Sequence, residues 1–535
     1  MTTHLDTACV PAVACAQLQT WLTDGDEVAL LDVREPGQYG EGHPFFSVNV
    51  PYSRLEVAVG ALVPRRATRL VLLDGGEPGA GLAVRAAARL QGLGYTAVHR
   101  LDGGAAAWAE SGRALFKGIN VPSKTFGELV EHARHTPSIG AAELQRRLAA
   151  HEPLLLVDGR TLAEHRKMTI PGAIPIPNGE LAARIASVLP DARTPVVVHC
   201  AGRTRSIIGA QILIDLGLPN PVYALENGTQ GWRLAGFDLE HGSARQVPPT
   251  ALDAAGPLRE AALARAARQA APRLTAAQAQ AWLDDPGRTT YVLDVRSAAE
   301  FAHGTLAGAR HAPGGQLLQA TDLVIGVRAA RVLLLDGDGP QGLRAPVIAS
   351  WLRQLGFEAA TVEHGIHAPL RVPAPVPPAL PALAQIAQDN GVLAARLRTP
   401  GHVLLDLRLS LDHRRGHAAG ARWTLRPRLD TAVEPGTRTA TLISDDDTIA
   451  RLAAIDLREQ GVLDLAWTRP ADLQAIGHPT DSTPDRPSDL DAIDYLFFVH
   501  DRHDGNLDAA RRYLEWETGL IAQCQADEIG AFRLS

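Results

Sequence analysis

Four strand-like segments of this chain end in the same triplet, Asp-x-Arg. They are Leu30-Leu-Asp-Val-Arg34, Leu156-Val-Asp-Gly-Arg160, Val292-Leu-Asp-Val-Arg296 and Leu404-Leu-Asp-Leu-Arg408. A His- or Gly-rich turn follows each one, then a second apolar strand: Leu70 to Leu73, Val196 to Val198, Val332 to Leu335, and Thr441 to Ile443. A helical stretch comes next and closes on glycine at Gly94, Gly217, Gly356 and Gly461. A repeat of this kind is a strong constraint, because each copy must be one self-similar supersecondary unit. Strands alternating with helices imply parallel sheets covered on both faces. The expectation is an α/β protein of four tandem units, each a small central parallel sheet flanked by helices, followed by a C-terminal α+β tail. The units are placed at residues 1–116, 137–245, 272–371 and 379–476, and the tail at 489–535. Each unit has ordinary domain size, about 100–130 residues.

The connections differ from the units. Phe126 to His132 reads as a possible helix in the first linker, and Pro257 to Ala271 as an Ala-rich helical span. Val372 to Pro378 is a proline-rich spacer, and Gly477 to Ser488 an exposed loop. In the tail, Asp494 to His500 resembles a strand, Asp501 to Gly505 a turn, and Asn506 a cap for a helix from Leu507 to Cys524. The tail is expected to pack on the last unit, the sharper alternative being a lid over a neighbouring site.

One stretch carries chemistry. A buried strand, Val196 to Val198, runs into His199 and Cys200. The loop Ala201-Gly202-Arg203-Thr204-Arg205 follows, and Ser206 opens an apolar helix. A cysteine between a strand and a helix start lies among free backbone N–H groups at the positive end of the helix dipole. With two arginines beside it, that setting favours thiolate over thiol.

Bulk properties narrow the classes. A chain of 535 residues with 46% hydrophobic and 21% charged residues can pack several cores. A net charge of −7 provides no basic field for nucleic acid or membrane lipid. Four cysteines (Cys9, Cys15, Cys200 and Cys524) are too few and too scattered for a disulfide framework or a zinc site. No signal peptide or membrane span is read. A cytoplasmic location is expected, with no metal and no cofactor.

Asp-x-Arg, the proline-rich apolar turn, the strand-to-helix loop Cys200-Ala-Gly-Arg-Thr-Arg-Ser206 and the closing Gly-to-Trp segment (Asn227-Gly to Trp232) resemble the rhodanese sulfurtransferase family. The resemblance extends over four units, with the whole signature only in the second. It implies that Cys200 takes a sulfane sulfur as a persulfide. Ala201, Gly202, Arg203, Thr204, Arg205 and Ser206 would then form the substrate-binding loop, with Arg203 and Arg205 holding an anionic donor. The implied reaction moves sulfur from thiosulfate or a low-molecular-weight persulfide to cyanide or a thiol, a protein acceptor being a further partner of the same kind. The alternative is a relay or sensor scaffold loaded by a partner protein. Cysteine phosphatases have Cys-x5-Arg, whereas Arg205 stands at Cys-x4-Arg and Ser206 takes the phosphatase position, which favours sulfur over phosphate. Where two-domain thiosulfate sulfurtransferases have a donor-binding arginine shortly after Asp-x-Arg, this chain has Glu164, with Arg166 and Lys167 nearby.

The other units lack the nucleophile. Asp74, Asp336, and Ser444 or Asp445 stand at the equivalent position, in acidic loops (Asp74 to Gly79 and Asp336 to Pro340) read as structural or regulatory. Asp158 and Arg160 are read as structural, since all four units keep the pair. His199 should point away from Cys200 by strand alternation. Cys524 is expected to be buried and inert, Cys9 and Cys15 to have no role, and His500, Asp501, His503 and Asp504 to lack a recognised ligand spacing.

Overall fold

The computed structural model describes residues 10–76, 81–247, 256–337, 342–386 and 390–534. Cys9, residues 77–79 of the first loop and residues 338–340 of the third lie outside them.

All four units form five-stranded parallel sheets of identical order. In the second unit the strands lie side by side as Ser138–Ile139, Val222–Leu225, Val196–His199, Leu155–Asp158 and Ile174–Pro175. The fourth unit repeats this with Ala384–Gln385, Asp464–Thr468, Thr439–Ile443, Val403–Asp406 and Arg422–Trp423. The strand Val196–His199 is buried throughout, as a parallel sheet covered on both faces requires.

The repeated Asp-x-Arg triplet has one structural job in every unit. Arg34, Arg160, Arg296 and Arg408 each grip the aspartate two residues back and donate to a carbonyl eight residues on, at Gly42, Met168, Gly304 and Gly416. The pair ties the end of one strand to the turn that follows it. Its presence in units with no cysteine marks it as framework.

The units pair through equivalent elements. The turn Asn178–Glu180 packs on the helix Gly314–Gln319 of the third unit, so closely that a Cβ on Gly179 would lie 2.7 Å from the Gly315 nitrogen. In the same way Tyr52–Arg54 meets Arg426–Arg428 of the fourth unit. There the buried Arg426 donates to Glu56 at 2.6 and 2.7 Å and to Asp456 at 3.1 Å. One apolar cluster runs through units one to three, and the fourth unit has its own.

Several expectations change in detail. The first linker helix runs Val121–Arg134, longer than expected at both ends, with Pro122 in its first turn, where no N–H is needed. The helix after Cys200 runs Thr204–Asp215, so Ser206 is its third residue and not its first. Asp494 to His500 is not a strand. It forms a short 3-10 turn, Phe497–Val499, with Tyr495 and Phe497 packed ring to ring. Asn506 does cap a helix, accepting from the Ala509 amide at 3.0 Å, but that helix stops at Thr518 and a second short one covers Leu520–Gln523. The tail does not stay on the last unit. It crosses the first, where the Gly37 amide donates to the Ile493 carbonyl at 2.8 Å, and its apolar face packs against Phe45, Phe116 and Val121.

Candidate functional site

Cys200 follows the central strand of the second sheet at its carboxyl end, where open α/β sheets place their ligands. The loop 200–203 turns directly into the cradle helix Thr204–Asp215. The Ser206 hydroxyl donates to Cys200 Sγ at 3.1 Å. From behind, the Thr229 and Gln230 amides donate to the carbonyls of Cys200 and Ala201 at 2.8 and 3.0 Å. Gly228, at φ +52°, permits this approach, since a Cβ there would lie 2.3 Å from the Cys200 carbonyl oxygen. His199 is buried and does not line the cavity at Cys200; burial lowers its imidazole pKa to about 4.

Both loop arginines are already neutralised. Arg203 donates to Glu128 at 2.8 and 3.0 Å, and to Glu131, both on the linker helix. Arg205 forms a two-pronged pair with Glu164 at 2.7 and 2.8 Å and reaches Gln316 of the third unit. Burial raises the Glu164 carboxyl, but Arg205 outweighs it and holds the group at about 2. Glu164 also closes a capping box with Thr161. The third unit, which has Asp336 in place of the cysteine, repeats the arrangement: Arg344 pairs with Glu300 at 2.8 and 3.0 Å, and Glu300 closes a box with Ser297. The Arg205–Glu164 pair therefore belongs to the framework at least as much as to the chemistry.

Cys200 borders a cavity of about 150 Å³ whose walls come from several separate segments of the chain. The loop 200–205 forms the floor. Asn120 and Lys124 come from the linker helix and its approach, and Arg502, Tyr513, Trp516 and Glu517 from the tail. The tail thus covers the cysteine. Gly202 marks the contact, for a Cβ there would lie 2.8 Å from Glu517 Oε2 and 2.9 Å from Tyr513 Cε1. Lys124 Nζ donates to the Tyr513 hydroxyl at 2.7 Å and lies over the Tyr513 and Trp516 rings. Burial pushes the Lys124 ammonium below its ordinary range, with Arg502 and Arg205 adding to the effect and Glu517 and Cys200 opposing it. Glu517 Oε1 accepts from the Thr204 hydroxyl at 2.7 Å. Buried polar atoms without partners border the cavity: Asn120 Oδ1, Glu517 Oε2 and both ends of the Gln230 amide. Such groups are costly unless a ligand or water satisfies them.

No local pattern singled out Lys124, Gln230 or the tail residues, which come to Cys200 from distant parts of the chain. Cys524, half-buried, lies apart from the cavity, with burial raising its thiol to about 12.

The matching positions elsewhere are filled from within. Asp74 accepts from the amides of Gly76 and Ala83 at 3.0 and 2.9 Å. Asp336 accepts from those of Gly337, Arg344 and Ala345 at 2.7, 2.7 and 3.1 Å. In both units a fixed carboxylate sits on the N–H groups that an anionic ligand would use. In the fourth unit the residue following the central strand is Ser444, whose hydroxyl donates to the Asp446 carbonyl at 2.8 Å, while Asp445 is exposed.

Repeated parallel sheets of one order, with a strand–cysteine–helix cradle in the second, define a tandem rhodanese-like protein. The rhodanese-like domain model matches residues 15–111, 140–235 and 275–368, more than half of the chain, and the chain belongs to that family. A solved structure of thiosulfate sulfurtransferase from Pseudomonas aeruginosa is 39% identical, with a TM-score of 0.88, over 98% of this chain and all of that one. A rhodanese-like domain protein from Staphylococcus aureus is 29% identical over 20% of this chain and 100% of its own, with a TM-score of 0.17. A curated relative, the HTH-type transcriptional regulator Rv0324 of Mycobacterium tuberculosis, is 37% identical over 106 residues. The match spans 20% of this chain and under half, 46%, of that protein. Among the described residues, no helix is long and apolar enough to cross a membrane.

Proposed function

We propose that the protein is a sulfurtransferase in which Cys200 takes a sulfane sulfur from thiosulfate or a low-molecular-weight persulfide and passes it to cyanide or a thiol. The observation that carries this reading is the contrast between cradles. Two hold a carboxylate on their own N–H groups and one holds a serine, while the second presents a sulfur, with the Ser206 hydroxyl on it, to a cavity. Backbone donors at a helix start suit an anionic sulfur, before and after it is loaded. In loading, the Cys200 thiolate bonds to the donor's outer sulfur, the sulfur–sulfur bond of the donor breaks, and the donor leaves with the electron pair, as sulfite when thiosulfate is used. The buried cation closest in character to the task is Lys124, because Arg203 and Arg205 already face carboxylates. The first, third and fourth units serve as framework, and the reaction needs no metal or organic cofactor.

Intact-mass analysis after incubation with thiosulfate tests this. The expected result is a gain of one sulfur on the peptide containing Cys200, removed by cyanide and abolished in Cys200→Ser. No added sulfur with thiosulfate or with glutathione persulfide refutes it. Loading only when a partner protein is supplied would point instead to a relay scaffold.

A further inference from the structure

A second, larger cavity of about 480 Å³ adjoins the first. The helix Gly228–Leu234 and the following turn bound it on one side, and the tail from Arg502 to Ala510 on the other. Gln230, Arg502 and His503 line both cavities, so these three side chains form the partition between them. Because the Thr229 and Gln230 amides hold the carbonyls of Cys200 and Ala201, anything resting on Gln230 is one residue's width from the nucleophile.

The partition is polar and unsatisfied. Both Gln230 amide atoms and the Thr229 hydroxyl have no hydrogen-bond partner, although the two residues are 3% and 0% exposed. Arg502 Nε and His503 Nδ1 are also without partners. An unpaired side-chain N–H₂ beside an unpaired C=O matches the donor and acceptor of a peptide group. The carboxylates on this wall are already taken, Asp238 by Arg233 at 2.7 Å and Asp504 by Lys167 at 2.9 Å. The wall therefore carries Arg502 as a cation for a ligand carboxylate. The volume falls in the usual range for a ligand site, roughly 300–1,000 Å³, whereas the inner cavity lies below it.

Resting on the proposed sulfurtransferase reading, we infer that the outer cavity is the acceptor site, and that it takes a low-molecular-mass peptide thiol bearing carboxylates. The peptide lies against Gln230, Thr229 and Arg502, and its thiolate reaches past Gln230 to loaded Cys200. The acceptor sulfur bonds to the outer sulfur of the persulfide. The bond from that sulfur to Cys200 Sγ breaks, its electron pair stays on Sγ as the thiolate, and the acceptor leaves as a persulfide. The thiol proton is lost to solvent before attack.

Glutathione is the probe, with cyanide as the small acceptor that needs no outer site. Two variants alter the outer cavity and not the inner one: Leu507→Trp, which fills it, and Arg233→Ala, which removes a wall and frees Asp238 to repel an anion. With thiosulfate as donor, each is expected to raise the KM for glutathione by ~10-fold or more and to leave cyanide turnover and sulfur loading of Cys200 unchanged. Arg233 is half-exposed, so that variant reports even where the tryptophan does not fold. An unchanged glutathione KM in a folded variant overturns the inference, and so does an equal loss with both acceptors. Turnover with cyanide and none with glutathione in the parent protein also overturns it and leaves the sulfurtransferase reading standing. Failure to load Cys200 at all removes that reading instead.

Discussion

Lys124→Met separates the role of Lys124 from those of the two loop arginines beside Cys200. Arg203 and Arg205 each face carboxylates, whereas Lys124 Nζ, among the described residues, donates to a neutral phenol at 2.7 Å and lies over two aromatic rings. An ammonium held this way keeps donors for an anion in the cavity. A hydrogen bond to a charged partner contributes about 1.5–3 kcal/mol, so its loss should lower kcat/KM for thiosulfate by ~10–150-fold. Stability should hold or rise, because a buried ammonium is replaced by an apolar chain of similar length. Burial depresses the Lys124 pKa, so donor affinity should fall as pH rises through that lowered value, and Lys124→Arg should move the alkaline limb upward. The assay is the initial rate of Cys200 modification, followed by mass: a gain of one sulfur with thiosulfate, which leaves as sulfite, and a mixed disulfide or trisulfide with an uncharged organic trisulfide, which leaves as its persulfide or thiolate. The charged donor should lose the larger factor. An equal loss with both, or an unchanged thiosulfate KM, refutes the assignment of Lys124 as the donor's cation.

Three further outcomes follow from the same geometry. Glu164→Gln removes the charge that occupies Arg205 and should lower the thiosulfate KM by ~5-fold, about 1 kcal/mol; steady-state kinetics measure it, and a raised KM contradicts it. His199, buried and lowered from 6.5 to about 4, stays neutral in the fold while the unfolded chain takes up a proton. Its effect on stability is thus absent at neutral pH and turns unfavourable as pH falls through 6.5, reaching about 2 kcal/mol near pH 5; in His199→Leu the loss of denaturant stability between pH 7 and 5 should shrink by that amount. Trp516→Ala opens the roof over Cys200, which is 2% exposed, and should speed its alkylation by N-ethylmaleimide while unfolding of the isolated tail contacts moves to lower temperature.

What could be read from residue order alone was whatever repeats or stays local. Asp-x-Arg recurs because a strand end and the next turn are a few residues apart, so one local pair suffices in every unit. The strand–Cys200–helix junction is equally local. The partners of Arg203 and Arg205 were not legible, since Glu128, Glu131 and Gln316 come from a linker and from another unit. In the sequence Asp74 and Asp336 show only as acidic residues at the cysteine's position; the sheet-end geometry turns their carboxylates onto the backbone amides, where they take an anion's place. Lys124 and Tyr513 are 389 positions apart, and no periodicity connects them. An aromatic tail in a chain with only 5% aromatic residues was the available signal, and it did not say which surface the tail covers.

The order of the units explains how a C-terminal tail comes to roof a site in the second one. Units two and three pair through Asn178–Glu180 and Gly314–Gln319, and units one and four pair through the equivalent turns. The second pairing rests on a buried charge network in which Arg426 answers both Glu56 and Asp456, and Arg89 answers Asp456 and Glu459. Breaking one member of such a network leaves a buried charge uncompensated, at a cost of about 3–5 kcal/mol. Because unit four is fixed on unit one, residue 489 starts beside unit one and not at the far end of a row. The Ser410 amide then donates to Asp494 and the Gly37 amide to the Ile493 carbonyl, which directs the chain toward Phe116 and Lys124. Glu56→Gln, at the interface between units one and four and distant in sequence from every residue near Cys200, should therefore loosen the tail. Hydrogen exchange should rise in 496–517, and alkylation of Cys200 should quicken. Faster exchange confined to the fourth unit, with the tail unaffected, would show that the tail holds its place through its own contacts with units one and two.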